Sequence, residues 1–172
     1  MAAPPDQPTD ARARLLAHFQ GDPSAHGQKW DELWKEGFLP WDNGFPNPAL
    51  VDLLAERQDL LEPAAGVAKR GRKKALVPGC GKGYDVLVLS AWGYDAYGLD
   101  ISSNALEAAK ETEREIGGND EYKAREGVHK GNVTWLVGDF FKDDFLKNVD
   151  GEATFDLIYD YTVFTGLTMA RA

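Results

Sequence analysis

The sequence predicts an α/β protein built on a mostly parallel sheet, and three observations carry that prediction. Residues 75–77 form a short apolar run, typical of a strand that is buried on both faces. A glycine-rich turn over residues 79–83 follows and opens a helical pattern at Tyr84. A second short strand, over residues 96–99, ends at the acidic residue Asp100. Strand, glycine turn, helix and strand in this order predict a ligand-binding βαβ unit.

The parts of this unit suit a ligand with a ribose. Gly79, Gly81 and Gly83 allow positive φ and let the backbone approach a ligand with no Cβ in the way. The helix that opens near Tyr84 points its unpaired N–H groups at that ligand. Asp100, at the carboxyl end of the second strand, can accept hydrogen bonds from both hydroxyls of a ribose. The unit therefore predicts an adenosine-type cofactor.

The spacing of the glycines separates the cofactor classes. A dinucleotide fingerprint that starts at Gly79 needs a glycine or alanine at its sixth position, where this chain has Tyr84. A phosphate-binding loop of the Gly-x-x-x-x-Gly-Lys-Ser/Thr type does not occur, so ATP and GTP are poor candidates. The spacing favours an adenosyl ligand without a pyrophosphate. A nicotinamide-binding dehydrogenase domain stays an alternative that Tyr84 disfavours.

Helix boundaries follow from capping residues. Asn47 and Pro48 suit the N-cap and the first position of a helix. Residues 84–92 predict a short helix that ends at Gly93, and the polar cluster 102–104 caps a further helix that ends at residues 117–118.

Strands three and four are predicted at residues 133–137 and 155–159. Residues 61–74 and 119–131 are predicted to be surface connections. Residues 1–10 carry three prolines and few apolar side chains, so they are predicted to be disordered.

Composition narrows the class of protein. With 172 residues, of which 43% are hydrophobic, the chain can form one domain with a real core. A net charge of −9 argues against a surface that binds nucleic acid. The basic cluster at residues 69–74 is interpreted as a solvated loop. A single cysteine excludes an internal disulfide and a cysteine-rich zinc site, and the three histidines lack metal-ligand spacing. No apolar run approaches the roughly 20 residues of a membrane helix, so we expect no membrane partner and a cytoplasmic location.

Further motifs follow the glycine turn in order: residues 100–102 (Asp-Ile-Ser), 137–141 (Val-Gly-Asp-Phe-Phe) and 155–160 (Phe-Asp-Leu-Ile-Tyr-Asp). With them the chain resembles class I S-adenosylmethionine (SAM)-dependent methyltransferases. More narrowly, it resembles the thiopurine methyltransferase-like branch, which includes plant and fungal thiol, thiocyanate and halide methyltransferases. The narrower resemblance rests on residues 30–34 (Trp-Asp-Glu-Leu-Trp), 40–42 (Pro-Trp-Asp), 76–81 (Leu-Val-Pro-Gly-Cys-Gly), 100–102 and 159–162 (Tyr-Asp-Tyr-Thr). Pro78, where methyltransferases generally carry an acid, is also what this branch shows.

The resemblance implies a Rossmann-like three-layer sandwich with SAM as cofactor. It places Trp30, Trp34 and Trp41 in an N-terminal segment that closes over SAM, where aromatic rings suit a sulfonium cation. From the residues alone, Trp30, Leu33 and Trp34 at helical spacing fit equally a helix that packs on the core. The remaining residues expected to contact SAM are Pro78, Gly79, Cys80, Gly81, Asp100, Ile101, Ser102, Asp139, Phe140, Phe141 and Asp160.

Several of these residues have a second interpretation. Asp139 is expected to accept a hydrogen bond from the adenine amino group, with Phe140 or Phe141 against the ring, or else to cap a turn while both rings lie in the core. Cys80 is interpreted as a small residue in a tight turn rather than a nucleophile. Asp160 and Tyr161 are the catalytic candidates, with Asp160 orienting the acceptor, assisting its deprotonation or acting as a structural hydrogen-bond acceptor.

The resemblance covers about residue 28 to the end, which predicts a weakly ordered segment 1–27 and a methyltransferase domain 28–172. Because the family's domain continues further, we expect its C-terminal strands to be missing and strand four to form an edge through which copies self-associate, whereas a full-length relative is expected to be a monomer. The expected acceptor is a small thiol, thiocyanate or halide. A catalytically inactive SAM-binding fragment is the alternative.

Overall fold

The computed structural model describes residues 7–57 and 71–161. In these residues five α-helices and four β-strands are present. The helices are α1 (Gln7–His18), α2 (His26–Glu36), α3 (Pro48–Glu56), α4 (Tyr84–Ala91) and α5 (Ser103–Ile116). The strands are β1 (Lys74–Pro78), β2 (Asp95–Asp100), β3 (Val133–Val137) and β4 (Leu157–Ile158), and short 3-10 turns lie at Pro23–Ala25, Asp120–Tyr122 and Asp143–Asn148.

The four strands form one parallel sheet in the order β3-β2-β1-β4. Strand β1 pairs with β2 along its whole length and with β4 only at Ala75 and Leu76. The strands β1, β2 and β3 end at Pro78, Asp100 and Val137, and we call the edge of the sheet where they end the carboxyl edge. The predicted α/β fold with a mostly parallel sheet is confirmed, and among the strands of residues 7–57 and 71–161, β4 lies at the edge beside β1.

Local sequence signals set the helix boundaries. The Asn47 side chain accepts a hydrogen bond from the Ala49 N–H at the start of α3, as predicted from Asn47 and Pro48. At α5 the Ser102 hydroxyl accepts from the Ala105 N–H in the same way. Gly93 has a φ of 93°, which fits its predicted place after α4.

The two faces of the sheet are covered differently. Helices α3 and α4 pack on one face with a buried cluster that comprises Leu50, Leu54, Ala75, Val77, Val86, Leu87, Val88, Leu89, Tyr94, Ala96 and Tyr122. The opposite face packs against the 3-10 turn Asp143–Asn148 through a smaller cluster of Leu76, Tyr97, Leu99, Leu136, Phe145 and Val149. In the described residues, that turn and Phe155 pack on this face of the sheet.

The N-terminal segment is more ordered than the sequence suggests. Residues Gln7–His18 form α1, which corrects the disorder predicted for residues 1–10 at positions 7–10. It also corrects the weak order predicted up to residue 27 from residue 7 onward. Residues 1–6 lie outside the described part. Arg14 pairs with Glu36 at 2.6 Å and its guanidinium lies 3.8 Å from the ring centroid of Phe38. These contacts with α2 and the residues just after it are tertiary, which is why local composition does not reveal them. A domain boundary at residue 27 stays a prediction.

Strand four is shorter than predicted. It covers Leu157–Ile158 instead of 155–159, since only two residues pair with β1, and Phe155 packs under the sheet against Tyr97 with ring centroids 5.5 Å apart. Ile158 is 51% exposed. Residues 61–70 of the predicted connection 61–74 lie outside the described residues.

Candidate functional site

The glycine turn after β1 adopts the backbone that its composition predicts. Gly79, Gly81 and Gly83 have φ values of 60°, 52° and 79°, a region that other residues rarely adopt. The Cys80 N–H donates to the Leu99 carbonyl at 3.1 Å, and the Gly83 N–H donates to the Cys80 carbonyl at 2.8 Å. The turn is therefore fixed against the end of β2 and leads directly into α4.

Asp100 lies under this turn and is only 7% exposed. Its Oδ2 accepts from the Gly81 N–H and its Oδ1 from the Ser102 N–H, both at 3.0 Å. Burial raises the pKa of the Asp100 carboxyl, and the backbone N–H groups of Ser102, Gly81 and Ile101 partly oppose that rise. A carboxylate has about four acceptor positions, so Asp100 retains capacity for a further hydroxyl donor.

A tryptophan supports the turn from within the fold, and the sequence analysis missed it. The Trp135 ring on β3 fills the space that side chains at two glycine positions would need. A Cβ on Gly98 would lie 2.5 Å from Cζ3 of this ring, and a Cβ on Gly83 would lie 2.2 Å from its Cη2. The indole N–H donates to Glu113 Oε2 at 2.8 Å, which fixes the ring. Glycine at position 98, inside a strand, was the available signal that another group approaches the backbone closely there.

Helix α2 brings the three predicted tryptophans together at the carboxyl edge. A Cβ on Gly81 would lie 3.3 Å from Cζ2 of Trp34, so the Trp34 ring rests on the glycine turn. The ring centroids of Trp30 and Trp41 are 5.2 Å apart, and those of Trp34 and Trp41 are 6.2 Å apart. The helix thus covers the cofactor turn that the sequence predicts rather than packing on the sheet core, although Leu33 on it is buried.

An ion pair holds the segment after α2 to the glycine turn. Lys82 Nζ lies 2.5 Å from Asp42 Oδ2, one residue beyond Trp41. The hydrogen bond and the charge of Asp42 raise the pKa of Lys82, although partial burial opposes them. Because Lys82 lies between Gly81 and Gly83, this pair fixes the Trp41 segment relative to the turn.

Ser102 and Ile101 contact α2 instead of facing open space. The Ser102 hydroxyl donates to Asp31 Oδ1 at 2.6 Å and accepts from the Ala105 N–H at 3.1 Å. Both functions of the hydroxyl are therefore used within the protein. Ile101 lies against α2, since a Cβ on Gly27 would be 2.7 Å from its Cδ1. Contact of Ile101 and Ser102 with a cofactor stays a prediction.

Asp139 takes the turn-capping role that was one of its two interpretations. Its Oδ1 accepts from the Phe141 N–H at 3.0 Å, and its Oδ2 lies 3.3 Å from Lys142 Nζ. The Gly138 N–H donates to the Asp100 carbonyl at 2.9 Å, which brings this turn beside the end of β2. Phe140 packs on the smaller core cluster, whereas Phe141 is 58% exposed. An adenine contact for Asp139, Phe140 and Phe141 stays a prediction.

The two catalytic candidates lie just past β4. The Tyr159 N–H donates to the Leu76 carbonyl at 2.9 Å, so Asp160 and Tyr161 follow at the level where β1 ends at Pro78. Asp160 is half-buried and Tyr161 is 60% exposed. Burial, with the neighbouring Asp85, Tyr161 and Asp160, raises the pKa of Tyr159 to about 12, so its phenol stays protonated near neutral pH. Catalytic roles for Asp160 and Tyr161 stay predictions.

Cys80 lacks the surroundings of a nucleophile. Burial, and then the negative charge of Asp100, raises the pKa of the Cys80 thiol well above its ordinary value. A thiol that resists ionisation is unreactive, because the thiolate is the nucleophilic form. The environment therefore supports the interpretation of Cys80 as a small residue in a tight turn.

An open cleft of about 370 Å³ lies beside the glycine turn rather than above Asp100. It is bordered by Lys82 and Tyr84 on one side and by one face of α5 on the other. In residues 7–57 and 71–161, no group of three His, Cys, Asp or Glu side chains is placed to hold a metal ion, and no helix has the length and apolar character needed to cross a membrane.

Comparisons with known proteins agree with this geometry. The sequence profile described as thiopurine S-methyltransferase (TPMT) matches residues 25–171. Thiocyanate methyltransferase 1 of Brassica oleracea is 34% identical over 138 residues, which are 80% of this chain and 49% of that protein. Thiopurine S-methyltransferase of Legionella pneumophila subsp. pneumophila is 30% identical over 139 residues, covering 80% of this chain and 56% of that protein. The chain thus spans about half the length of these relatives.

A solved structure shows the shared fold. The one reported under the heading "Conversion of a Disulfide Bond into a Thioacetal Group during Echinomycin Biosynthesis" matches with a TM-score of 0.53 at 22% identity, and covers 84% of this chain and 56% of that chain. The profile match over most of the chain removes the dehydrogenase alternative that Tyr84 already disfavoured. The chain belongs to the thiopurine S-methyltransferase family.

Proposed function

We propose that the chain binds SAM at the carboxyl edge and that the protein transfers the methyl group to a small thiol, thiocyanate or halide acceptor. The observation that carries the proposal is the convergence on Gly81, where the Asp100 carboxylate accepts from its N–H at 3.0 Å and the Trp34 ring packs on its Cα. The acceptor class is supported by relatives named thiocyanate methyltransferase 1 and probable thiol methyltransferase 2, the latter 33% identical over 135 residues, 78% of this chain and 47% of that protein.

The residues present fit this cofactor. The missing Cβ atoms of Gly79 and Gly81 leave backbone open to a ligand, and Asp100 has acceptor capacity left for a ribose hydroxyl. The clustered rings of Trp34 and Trp41 suit a cation, because water-excluded aromatic faces attract positive charge. When bound, SAM supplies an activated methyl carbon on its sulfonium.

The protein's own contribution is orientation and exclusion of water. Asp100 and the glycine turn fix the position of the ribose, and α2 closes the carboxyl edge. We place Asp139 and Phe141 beside the adenine, and Asp160 and Tyr161 beside the acceptor. A thiol with a pKa of about 8.5 is already partly thiolate near neutral pH, so no strong base is required.

The extent of the functional unit is part of the proposal. We propose that residues 28–172 belong to the methyltransferase domain, and that the protein acts in the cytoplasm, which the single cysteine favours. The net charge of −9 disfavours a nucleic-acid substrate. Acceptor selection is proposed for the whole protein, since the chain spans about half the length of its relatives.

Titration with S-adenosylhomocysteine tests the cofactor site. The chain, its Asp100→Ala variant and the control Asp52→Ala, which removes an exposed carboxylate from α3, are each titrated calorimetrically, and circular dichroism confirms folding. We expect Asp100→Ala to lose about 1–3 kcal/mol of binding free energy and Asp52→Ala to match the wild type. A folded wild-type chain that does not bind would refute the site.

Turnover is measured separately. Purified protein is incubated with SAM and a thiol, thiocyanate or iodide, and the methylated product is quantified by mass spectrometry. Product with any of these acceptors supports the proposed reaction. Binding without product would favour the alternative of a SAM-binding chain that is catalytically inactive.

A further inference from the structure

One face of α2 contacts the carboxyl edge at three points. Gly27, Asp31 and Trp34 stand at positions i, i+4 and i+7, which share a face of a helix. Gly27 lies against Ile101, and Trp34 lies against Gly81. Between them, Asp31 provides the one charged contact of this face with the start of α5.

The Asp31 carboxylate is bound by several donors at that helix end. Its Oδ1 accepts from the Ser102 hydroxyl at 2.6 Å and from Asn104 Nδ2 at 3.0 Å, and its Oδ2 also lies 3.0 Å from Asn104 Nδ2. The Asn104 backbone N–H approaches Oδ1 at 3.3 Å. A helix N-terminus offers unpaired N–H groups and a positive dipole end, so a carboxylate from another helix is held favourably here. These bonds lower the pKa of Asp31, so it is ionised near neutral pH.

Ser102 connects this carboxylate to Asp100. Its side chain, which is 0% exposed, donates to Asp31, while its backbone N–H donates to Asp100 Oδ1 at 3.0 Å. The other oxygen of Asp100 accepts from the Gly81 N–H at 3.0 Å. A continuous path of hydrogen bonds therefore runs from α2 through Ser102 to the glycine turn. The Trp34 ring on the same helix also contacts that turn, at Gly81.

We propose that Asp31 is a positioning residue that fastens α2 to the start of α5, so that Trp34 lies on the glycine turn. The proposal rests on the proposed cofactor site. Without the Asp31 bonds, α2 keeps the Gly27 and Trp34 contacts with this edge but loses its charged contact with the start of α5. The closed arrangement is then less populated, and the apparent affinity for a ligand that needs it falls by the same fraction.

The first test is hydrogen exchange without ligand. In Asp31→Ala, amides of α2 are expected to exchange at least about tenfold faster, since hydrogen bonds to a charged group are lost, while amides of β1 and β2 keep wild-type rates. Asn104→Ala, which removes part of the donor set and keeps the Ser102 cap, is expected to give a smaller acceleration confined to α2. Asp52→Ala, which removes an exposed carboxylate from α3, is the control. Wild-type exchange of α2 in both Asp31→Ala and Asn104→Ala would overturn the proposal.

The second test asks whether Asp31 acts through Trp34. Affinities for S-adenosylhomocysteine are measured for Asp31→Ala, Trp34→Ala and the double variant. If Asp31 holds Trp34 in place, each single variant loses about tenfold and the double variant loses little more than either. A double variant that loses the product, about a hundredfold, would show independent roles and overturn the proposal.

The two proposals fail differently. A wild-type chain that does not bind S-adenosylhomocysteine refutes the cofactor site, and hydrogen exchange still decides whether Asp31 fastens α2. Normal wild-type binding with unchanged affinity in Asp31→Ala retains the site and refutes the role of Asp31. Asn104→Ala supplies the answer if Asp31→Ala does not fold.

Discussion

Gly98→Ala is expected to destabilise the fold at the support of the glycine turn. The added Cβ would stand 2.5 Å from Cζ3 and 2.6 Å from Cε3 of Trp135, and 2.9 Å from the Cys80 sulfur. Comfortable contacts between carbon atoms are about 3.5–4.0 Å, so the ring must retreat by about 1 Å. Trp135 cannot do so freely, because its indole N–H is bonded to Glu113 at 2.8 Å. Overpacking of this kind costs about 1–3 kcal/mol.

The assay is urea unfolding followed by circular dichroism. The free energies of unfolding of wild type and variant are compared with the same slope of free energy against urea concentration. Gly118→Ala is the control, since a Cβ there meets no atom within 4 Å. The cause is tested in a Trp135→Leu background, where the smaller side chain should largely remove the cost of Gly98→Ala. A wild-type unfolding midpoint for Gly98→Ala, or an equal loss in both backgrounds, would refute the close approach of Trp135 to Gly98.

Three further outcomes are expected. Trp34→Ala should weaken S-adenosylhomocysteine binding by calorimetry while Trp34→Phe retains most of it; equal affinity of wild type and Trp34→Ala would limit this ring to packing. The Cys80 thiol, whose pKa is raised, should resist iodoacetamide at pH 8 in folded protein and react after unfolding, as followed by mass spectrometry. The pKa of Asp31 is lowered in the folded protein, so its stabilisation is complete above the usual value of 3.8 and is lost as the pH falls through the lower folded value. Urea unfolding should therefore show a stability gap between wild type and Asp31→Ala at pH 6 that shrinks near pH 3, and a constant gap would contradict this account.

Local signals in the sequence were enough to predict most of the βαβ unit. The positive φ of Gly79 and Gly81, the Ser102 cap and the bounds of β3 depend on glycine, capping and strand patterns that act within a few residues. Strand β4 was predicted too long, because its pairing with β1 limits it and an apolar run does not reveal where pairing stops.

Tertiary partners account for what was missed at the site. No pattern in the sequence indicates that the Ser102 hydroxyl bonds to Asp31, which lies 71 residues away in the chain. A cofactor contact of Ser102 stays a prediction. Trp135 drew no attention as one aromatic residue in a strand, and its role appears only where it meets Gly98 and Gly83. The order of α1 likewise depends on contacts with α2. Such pairings are set by the fold, and single-chain patterns carry no record of them.

The three-point contact of α2 constrains where this chain can tolerate insertions and deletions. Each helical residue turns the chain by about 100°, so one residue gained or lost between Gly27 and Trp34 would carry Asp31 or Trp34 off the face that meets the carboxyl edge. The helix ends at Gly37, which has a φ of 71°, so the residues beyond Gly37 do not share this helical spacing. Length changes among homologues should therefore fall before residue 26 or beyond Gly37, while the spacing between Gly27, Asp31 and Trp34 stays fixed.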